Sequence, residues 1–259
     1  MERARQVAPK ALVRDSVSEA EWALRVELAA CYRMIAHLGW DDLVFTHISA
    51  RVPGSEDHFL LNPYGLMFDE ITASSLVKLD IHGNKVMSSS YDVIPAGFNI
   101  HSAVHEARKD ALCVIHLHTP EGVAVSCQKG GLLPVSQTAL YALMSIAYHP
   151  YEGVALEEDE KPRLQADLGQ KKMMILENHG LLTCGRSVGD AFLAMFTLQR
   201  ACQVQVMAQA GGGELIEIPK AILDGIGRQV RQTLGNSGSD RVWPAIIRKM
   251  ERLDPSFRD

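Results

Sequence analysis

Long apolar runs are missing from this sequence of 259 residues. A membrane-spanning helix needs about 18–20 consecutive apolar residues, and no such run occurs. The start of the chain, Met1 to Arg5, is charged and is not followed by the apolar stretch of a secretory signal peptide. The sequence therefore predicts a cytoplasmic protein with no membrane partner.

An excess of positive charge is missing as well. The chain has 26 Lys and Arg against 31 Asp and Glu, which gives a formal net charge of −5. Nucleic acids and anionic lipid surfaces attract proteins through clustered positive charge. The composition therefore argues against nucleic acid as a partner and leaves a small molecule as the expected substrate class.

Cysteine is sparse, and its spacing shows no pairs. There are five cysteines, an odd number, and no Cys-x-x-Cys motif, so neither a disulfide framework nor a thiolate zinc site is indicated. We expect all five to be buried, reduced thiols. The glycine-rich loops of nucleotide-binding proteins and the Gly-x-Ser-x-Gly elbow of serine hydrolases are also absent from the sequence.

The periodicity of the remaining chain indicates one α/β domain. Ser18 and Glu21 form a capping box at the start of a helix with a wide apolar face, and Ser187 and Asp190 do the same for a long helix that reaches Ala210. Strand-forming segments and turns lie between them. We predict an N-terminal arm over 1–17, one domain over 18–213, and a C-terminal tail over 214–259 with one helix near 242–253.

The clearest chemical signal is the pair His116 and His118 in the predicted strand 112–118. Side chains two residues apart on a strand share a face, so both imidazoles can reach one ion. His179, which ends another predicted strand just before Gly180, is the best candidate for a third ligand. Three histidines with an open fourth position are typical of a catalytic metal site.

Other histidines offer competing ligand sets. His101 and His105 lie four residues apart on a predicted helix over 97–108 and share a face, but the protease motif His-Glu-x-x-His is absent. We favour His101 as a pocket-lining residue and His105 as a structural one. Four further histidines are expected to be structural: His37, His58, His82 and His149.

Taken in order, the motifs resemble those of the class II aldolase/adducin family over residues 20–210. Five segments carry the resemblance: Thr46-His47-Ile48-Ser49-Ala50-Arg51, Asn62-Pro63-Tyr64-Gly65, Ile100-His101-Ser102-Ala103-Val104-His105, Val114-Ile115-His116-Leu117-His118-Thr119 and Glu177-Asn178-His179-Gly180-Leu181-Leu182. The resemblance implies a three-layer α/β/α domain around a mostly antiparallel sheet, and a homo-oligomer, namely a tetramer.

The resemblance also implies a divalent metal, Zn²⁺ in the first place with Mn²⁺ or Fe²⁺ as alternatives. Its ligands are the histidines that match His116, His118 and His179. Such a metal polarises a substrate oxygen and stabilises an enediolate while a carbon–carbon bond breaks. We therefore expect a lyase that performs aldol-type cleavage or decarboxylation of a small oxygenated carbonyl compound or acid through a metal-held enolate.

The sequence departs from the family's sugar-phosphate aldolases at three places. Gly97 stands at the position of their acidic residue. The segments that match their phosphate pocket read Thr46-His47 and Pro95-Ala96. The position of their proton-donating tyrosine falls at Thr138, with Tyr141 one helical turn further on. We therefore expect weak or no cleavage of sugar phosphates.

The remaining polar residues of these motifs are candidates for the rest of the site. We predict His101 and Glu177 as catalytic groups. His101 is the more testable of the two, because the pKa of histidine lies near neutral pH and suits both acid and base roles. The predicted substrate-binding residues are His47, Asn62, Tyr64 and Gly65.

Several alternatives stay open. Asn62–Gly65 also reads as a plain turn, and Glu177 as a group that orients a histidine ligand or is simply solvated. The chain as a whole also fits a non-catalytic interaction module like the adducin head, or a metal-dependent oxygenase or isomerase on the same scaffold.

Overall fold

The computed structural model describes residues 10–153, 158–234 and 238–259. Helices and strands alternate along these residues. The helices are α1 (Lys10–Ser16), α2 (Glu19–His37), α3 (Pro95–Ala107), α4 (Pro120–Ser126), α5 (Gln137–Leu143), α6 (Lys161–Leu168), α7 (Val188–Ala210), α8 (Lys220–Leu234) and α9 (Gly238–Leu253). The strands are β1 (His47–Arg51), β2 (His58–Leu61), β3 (Val77–Asp80), β4 (Cys113–Leu117), β5 (Ile146–His149), β6 (Met173–Leu176) and β7 (Gly180–Gly185).

The seven strands form one sheet in the order β3-β2-β1-β4-β7-β6-β5. Neighbouring strands are antiparallel except β5 and β6, which are parallel and are connected through α6. A parallel pair needs such a crossover, whereas antiparallel pairs can be joined by short turns. The prediction of a mostly antiparallel sheet is confirmed.

Residue alternation along the central strands separates two helical layers. On β4, Ile115 and Leu117 pack into the core shared with α2 and α7, whereas Val114 packs into the core shared with α3 and α6. His116, two residues after Val114, therefore points to the α3 side of the sheet. Helices cover both faces, which confirms the three-layer α/β/α architecture.

The predicted helix caps at two long helices are confirmed. The Ser18 hydroxyl accepts a hydrogen bond from the Glu21 amide at the start of α2, and Ser187 accepts one from the Asp190 amide at the start of α7. Thr119 precedes α4 as predicted, but its hydroxyl donates to Gln199 of α7 rather than capping α4. A tertiary contact therefore replaces the local cap.

The secondary structure predicted for both ends of the chain requires corrections. The segment predicted as an arm contains α1, and residues 1–9 lie outside the described part of the chain. The tail has two helices, α8 and α9, where one was predicted. Trp243 of α9 lies against Gly189 of α7, and Phe257 beyond α9 is fully buried. The tail therefore packs on the domain, and the predicted domain boundaries stay predictions.

Two expectations from composition can be compared with the structure. Among the residues that the structure describes, no helix combines the length and apolar character needed to cross a membrane. Four cysteines are buried free thiols, and burial raises the pKa of Cys184 to about 11 and that of Cys202 to about 12. Cys127 is exposed, so the prediction of a buried thiol is wrong there.

Candidate metal centre

Three histidines meet where the central strands of the sheet end. His116 lies on β4, His118 follows directly after it, and His179 lies in the turn that joins β6 to β7. In that turn Asn178 has a positive φ of 56°, a conformation that asparagine tolerates better than most residues. Gly180 follows, and a Cβ atom there would lie 2.5 Å from the carbonyl oxygen of Leu117. The glycine therefore permits the close approach of β7 to the end of β4.

The Nε2 atoms of the three imidazoles converge on one point. Nε2 of His116 lies 2.9 Å from Nε2 of His118 and 3.2 Å from Nε2 of His179, and the third distance, from His179 to His118, is 3.0 Å. Two nitrogens that each bind a tetrahedral zinc at about 2.0–2.1 Å lie about 3.3–3.4 Å apart. The triangle is therefore close to the size that one such ion requires.

In two of these rings the other nitrogen, Nδ1, already has a hydrogen-bond partner. Nδ1 of His116 lies 3.0 Å from the carbonyl oxygen of Leu181, and Nδ1 of His118 lies 3.0 Å from Oδ2 of Asp42. Both oxygens accept hydrogen bonds, so each Nδ1 carries the proton and each Nε2 presents a lone pair. Lone pairs at this separation repel each other unless a positive charge lies between them. The three residues therefore fit a divalent cation.

Burial keeps the imidazoles of His116 and His179 neutral. Desolvation, with smaller contributions from neighbouring histidines, lowers the pKa of His116 well below its usual range, and desolvation and His118 lower the pKa of His179 to about 4. Metal binding requires the neutral form of histidine. His116 and His179 are thus in the ligating form at pH 7 without having to lose a proton.

A cavity of about 580 Å³ lies against the three imidazoles. Most of its remaining wall is apolar, and among the described residues that line it none is a Lys or Arg. The carboxylate in the wall is Asp42, which is engaged with His118. Other lining side chains include Phe45, Ile94, Ile100, Val123 and Tyr151. The wall is suited to a small, largely uncharged ligand.

His47 also lines the cavity, as predicted for a substrate-binding residue. It pairs directly with His116 across β1 and β4, and the two rings stack with centroids 5.5 Å apart. A Cβ atom on Gly97 would lie 2.5 Å from Cδ2 and 2.7 Å from Nε2 of His47. The imidazole therefore fills the space that a side chain at position 97 would need.

His101 lies behind His47 and is fully buried. The two rings meet edge to face at 5.4 Å, and the residues that line the cavity do not include His101. Nδ1 of His101 is 2.6 Å from the Ser49 hydroxyl, which is 2.7 Å from Nε2 of His105. His101 thus belongs to a buried chain of polar groups. Its predicted direct catalytic role does not match this position.

Four other predicted site residues do not lie in the cavity wall. The side chain of Asn62 is buried and hydrogen-bonded to the hydroxyl of Tyr32, while Tyr64 and Gly65 belong to a surface turn. Glu177 is exposed and lines a different cavity, next to Cys127. The structure therefore does not bring Asn62, Tyr64, Gly65 and Glu177 to this cavity, and their predicted substrate-binding and catalytic roles stay predictions.

The structure adds residues that the sequence did not single out. Asp42 orients His118 from the loop after α2, and the ring of Tyr151 lies 6.4 Å from that of His179. Neither residue belongs to a recognisable motif, because each reaches the site from a loop. Tyr141, one helical turn after Thr138, lines a separate groove between α5 and α8.

The fold and the site geometry can now be compared with known proteins. Residues 26–206 match the model of the class II aldolase and adducin N-terminal domain. A crystal structure of an aldolase II superfamily protein from Pseudomonas syringae superposes with a TM-score of 0.89 at 49% identity and covers 95% of this chain and 99% of that chain.

Two further relatives represent the two branches of the family. L-fuculose 1-phosphate aldolase from Glaciozyma antarctica superposes with a TM-score of 0.80 at 27% identity, covering 97% of this chain and 100% of that one. Mouse alpha-adducin is 47% identical over 205 residues, which are 76% of this chain and 28% of the adducin. Because the family model spans most of the chain, this protein belongs to the class II aldolase/adducin family.

Proposed function

We propose that this protein binds one divalent cation through His116, His118 and His179 and acts as a metal-dependent lyase. The observation that carries the proposal is the convergence of three Nε2 atoms within 3.2 Å of one another, with Nδ1 of His116 and of His118 held by acceptors. Family membership supports an aldolase-type reaction, and the structural likeness to L-fuculose 1-phosphate aldolase supports it further.

The residues of this chain suit a small oxygenated carbonyl compound or acid, converted by aldol-type cleavage or decarboxylation. A bound cation would supply Lewis acidity to a substrate oxygen. Asp42 keeps the His118 ring oriented, and the apolar side chains of Phe45, Ile94 and Ile100 line the cavity beside the three histidines. Among the described lining residues, His47, Tyr151 and Asn178 carry neutral polar groups that can bind substrate atoms.

An all-nitrogen ligand set favours Zn²⁺, with Mn²⁺ and Fe²⁺ as alternatives. Elemental analysis of protein purified without added metal tests this directly. We expect about one divalent ion per chain in the wild type and in His37→Ala, an exposed histidine outside the site, and a large loss in His179→Ala. Equal metal content in all three proteins would contradict the assignment.

A substrate panel of aldehydes, 2-oxo acids and hydroxy acids then tests the reaction class. Turnover that is present in the wild type and in His37→Ala but absent in His179→Ala supports the lyase. The 47% identity to alpha-adducin favours the alternative of a non-catalytic interaction module. That alternative requires that no panel compound be turned over by the metal-loaded wild type.

We expect cleavage of L-fuculose 1-phosphate and ribulose phosphate to be weak or absent. Gly97 provides no acid/base group, whose contribution is typically about 10²–10⁴-fold, and no Lys or Arg among the described lining residues is available for a phosphate. A coupled aldolase assay at saturating metal measures this. Turnover at rates typical of enzymes, about 1–10³ per second, would contradict it.

We also propose that the protein is a cytoplasmic homotetramer, on family resemblance and on the largely buried free thiols. Light scattering at micromolar concentration gives the oligomeric state, and a monomeric mass would contradict this part of the proposal.

A further inference from the structure

The buried groups behind the cavity form a hydrogen-bonded chain whose directions are fixed from one end. The carbonyl oxygen of Ala111 only accepts, so Nδ1 of His105, at 3.0 Å, carries the proton. A neutral imidazole has a single N–H, so Nε2 of His105 accepts a hydrogen bond from the hydroxyl of Ser49. The oxygen of Ser49 in turn accepts one from Nδ1 of His101.

Neutral rings are what this environment favours. His101 and His105 are both fully buried, and desolvation lowers the pKa of His105 to about 3 and lowers the pKa of His101 well below its usual range. With Nδ1 of His101 protonated, Nε2 of His101 presents a lone pair. That atom is enclosed and has no hydrogen-bond partner among the described residues.

A second enclosed nitrogen without a partner lies on the neighbouring ring. It is Nδ1 of His47, and the rings of His47 and His101 meet edge to face. Leaving two buried polar atoms unmatched costs free energy. They match when Nδ1 of His47 carries the proton and donates directly to Nε2 of His101, which the edge-to-face rings, with centroids 5.4 Å apart, can reach by a small rotation. The chain that begins at Ala111 thereby sets the tautomer of His47.

The other nitrogen of His47 is then an acceptor beside the metal site. A Cβ atom at position 97 would lie 2.7 Å from Nε2 of His47, so the glycine leaves this nitrogen uncovered. The ring lines the cavity and stacks on His116. Since no Lys or Arg appears among the described lining residues, this part of the cavity suits an uncharged donor such as a hydroxyl group.

We propose that His47 binds a hydroxyl group of the substrate through Nε2, and that Gly97, His101, Ser49 and His105 are positioning residues that keep this nitrogen uncovered and unprotonated. The inference narrows the substrate class to compounds that carry a hydroxyl beside the oxygen directed at the cation. The proposed substrate class rests on the proposed metal-dependent function. The proposed tautomer of His47 does not depend on that function.

Neutron diffraction from the metal-free protein tests the tautomer without any ligand. We expect deuterium on Nδ1 of His47, His101 and His105, and the Ser49 hydroxyl directed at His105. Deuterium on Nε2 of His47 would overturn the proposal, whatever metal the protein binds.

Calorimetry with a matched pair of metal-binding probes tests hydroxyl recognition in the zinc-loaded protein. Acetohydroxamate and glycolohydroxamate share the same metal-binding group and differ by one hydroxyl. We expect glycolohydroxamate to bind the wild type about 3- to 10-fold more tightly, the usual contribution of one hydrogen bond. Equal affinities for the wild type would overturn the proposal.

Variants locate the preference at His47. His47→Phe removes both nitrogens but keeps a ring, and Gly97→Ala covers Nε2, so the ratio of the two affinities should fall to about 1 in each. His47→Gln places an amide oxygen near the position of Nε2 and should retain part of the preference, and His37→Phe should retain all of it. A preference unchanged in His47→Phe would overturn the proposal. Failure of zinc or of both hydroxamates to bind the wild type would instead reject the proposed metal function.

Discussion

The protein contains two histidine clusters that lie side by side and differ in what separates their nitrogens. In the first, His116, His118 and His179 direct three Nε2 atoms at one another with no hydrogen-bond donor between them. In the second, the hydroxyl of Ser49 lies between His101 and His105 and links their nitrogens. The first cluster is incomplete without a cation, whereas the second is satisfied by the protein itself.

The comparison teaches that the number of histidines alone does not define a metal site. The first cluster lies on β4, directly after it and in the turn between β6 and β7, whereas the second lies on β1 and α3. Both rely on a backbone carbonyl to fix a tautomer. What differs is accessibility, because His118 and His179 border the cavity while His101 and His105 are fully buried. Each cluster therefore responds differently to substitution.

The largest expected effect follows from removing one converging nitrogen. In His118→Ala we expect metal affinity to fall on the order of 100- to 1,000-fold, since each of three ligands carries about a third of the binding free energy. The stability of the metal-free protein should be unchanged or slightly higher, because a repulsive contact is lost. Metal titration and urea unfolding measure the two quantities, with His37→Ala as the control. A large loss of metal-free stability would contradict the view of the cluster as incomplete.

Ser49→Ala should have the opposite pattern. It leaves one nitrogen of His101 and one of His105 buried without a partner, which costs about 2–6 kcal/mol of unfolding free energy at about 1–3 kcal/mol each. Metal affinity should change little. Ser102→Ala is a matched control, since Ser102 is equally buried but donates to a carbonyl of its own helix. A Ser49→Ala protein that loses metal yet keeps its stability would remove the distinction between the clusters.

A smaller effect is expected at the carboxylate that orients His118. Loss of such a partner typically weakens metal binding by about 10- to 100-fold. We expect this for Asp42→Ala and not for Asp41→Ala, its neighbour in the same loop. Competition with a chelator of known affinity gives both values, and equal affinities in the two variants would exclude an orienting role for Asp42.

The smallest effect is a pH dependence that belongs to the buried cluster. Burial lowers the pKa of His105 to about 3, against about 6.5 in an unfolded chain. Between these values the unfolded state binds more protons, so the unfolding free energy falls as the pH falls, by up to about 1.4 kcal/mol per pH unit. Urea unfolding of the metal-free protein between pH 7.5 and 4.5 should show a shallower slope in His105→Gln than in His37→Gln. Identical slopes would refute this.

The sequence predicts the elements whose signals are local. Capping boxes at Ser18 and Ser187 mark two helix starts correctly, and the His116–His118 spacing identifies a shared strand face. The third candidate ligand, His179, is indicated by its place before Gly180 and by the family resemblance. The sequence does not predict β5 and α6. β5 is short, and its buried residues, Ala147 and His149, are no more apolar than Ile146 and Tyr148 on its other side.

The misplaced site residues have physical reasons as well. On β6, Met174 and Leu176 pack on the α3 side with His116, so strand alternation places Glu177 on the other face. The position of Glu177 thus follows the strand alternation of β6, although Glu177 is close to His179 in sequence. Asp42 and Tyr151 carried no such signal, because a loop residue reaches its partner through the whole fold rather than through its own neighbours.

The pairing of β4 with β7 gives the metal site a place in the order of folding. Nδ1 of His116 bonds to a carbonyl 65 residues further along the chain, so the ligand triangle does not exist until two distant strands have met. Contacts between distant segments form slowly, because a long loop must close first. Binding of a cation to the triangle therefore reports when this loop has closed. Stopped-flow refolding with a metal-sensitive dye would measure the rate at which β4 pairs with β7.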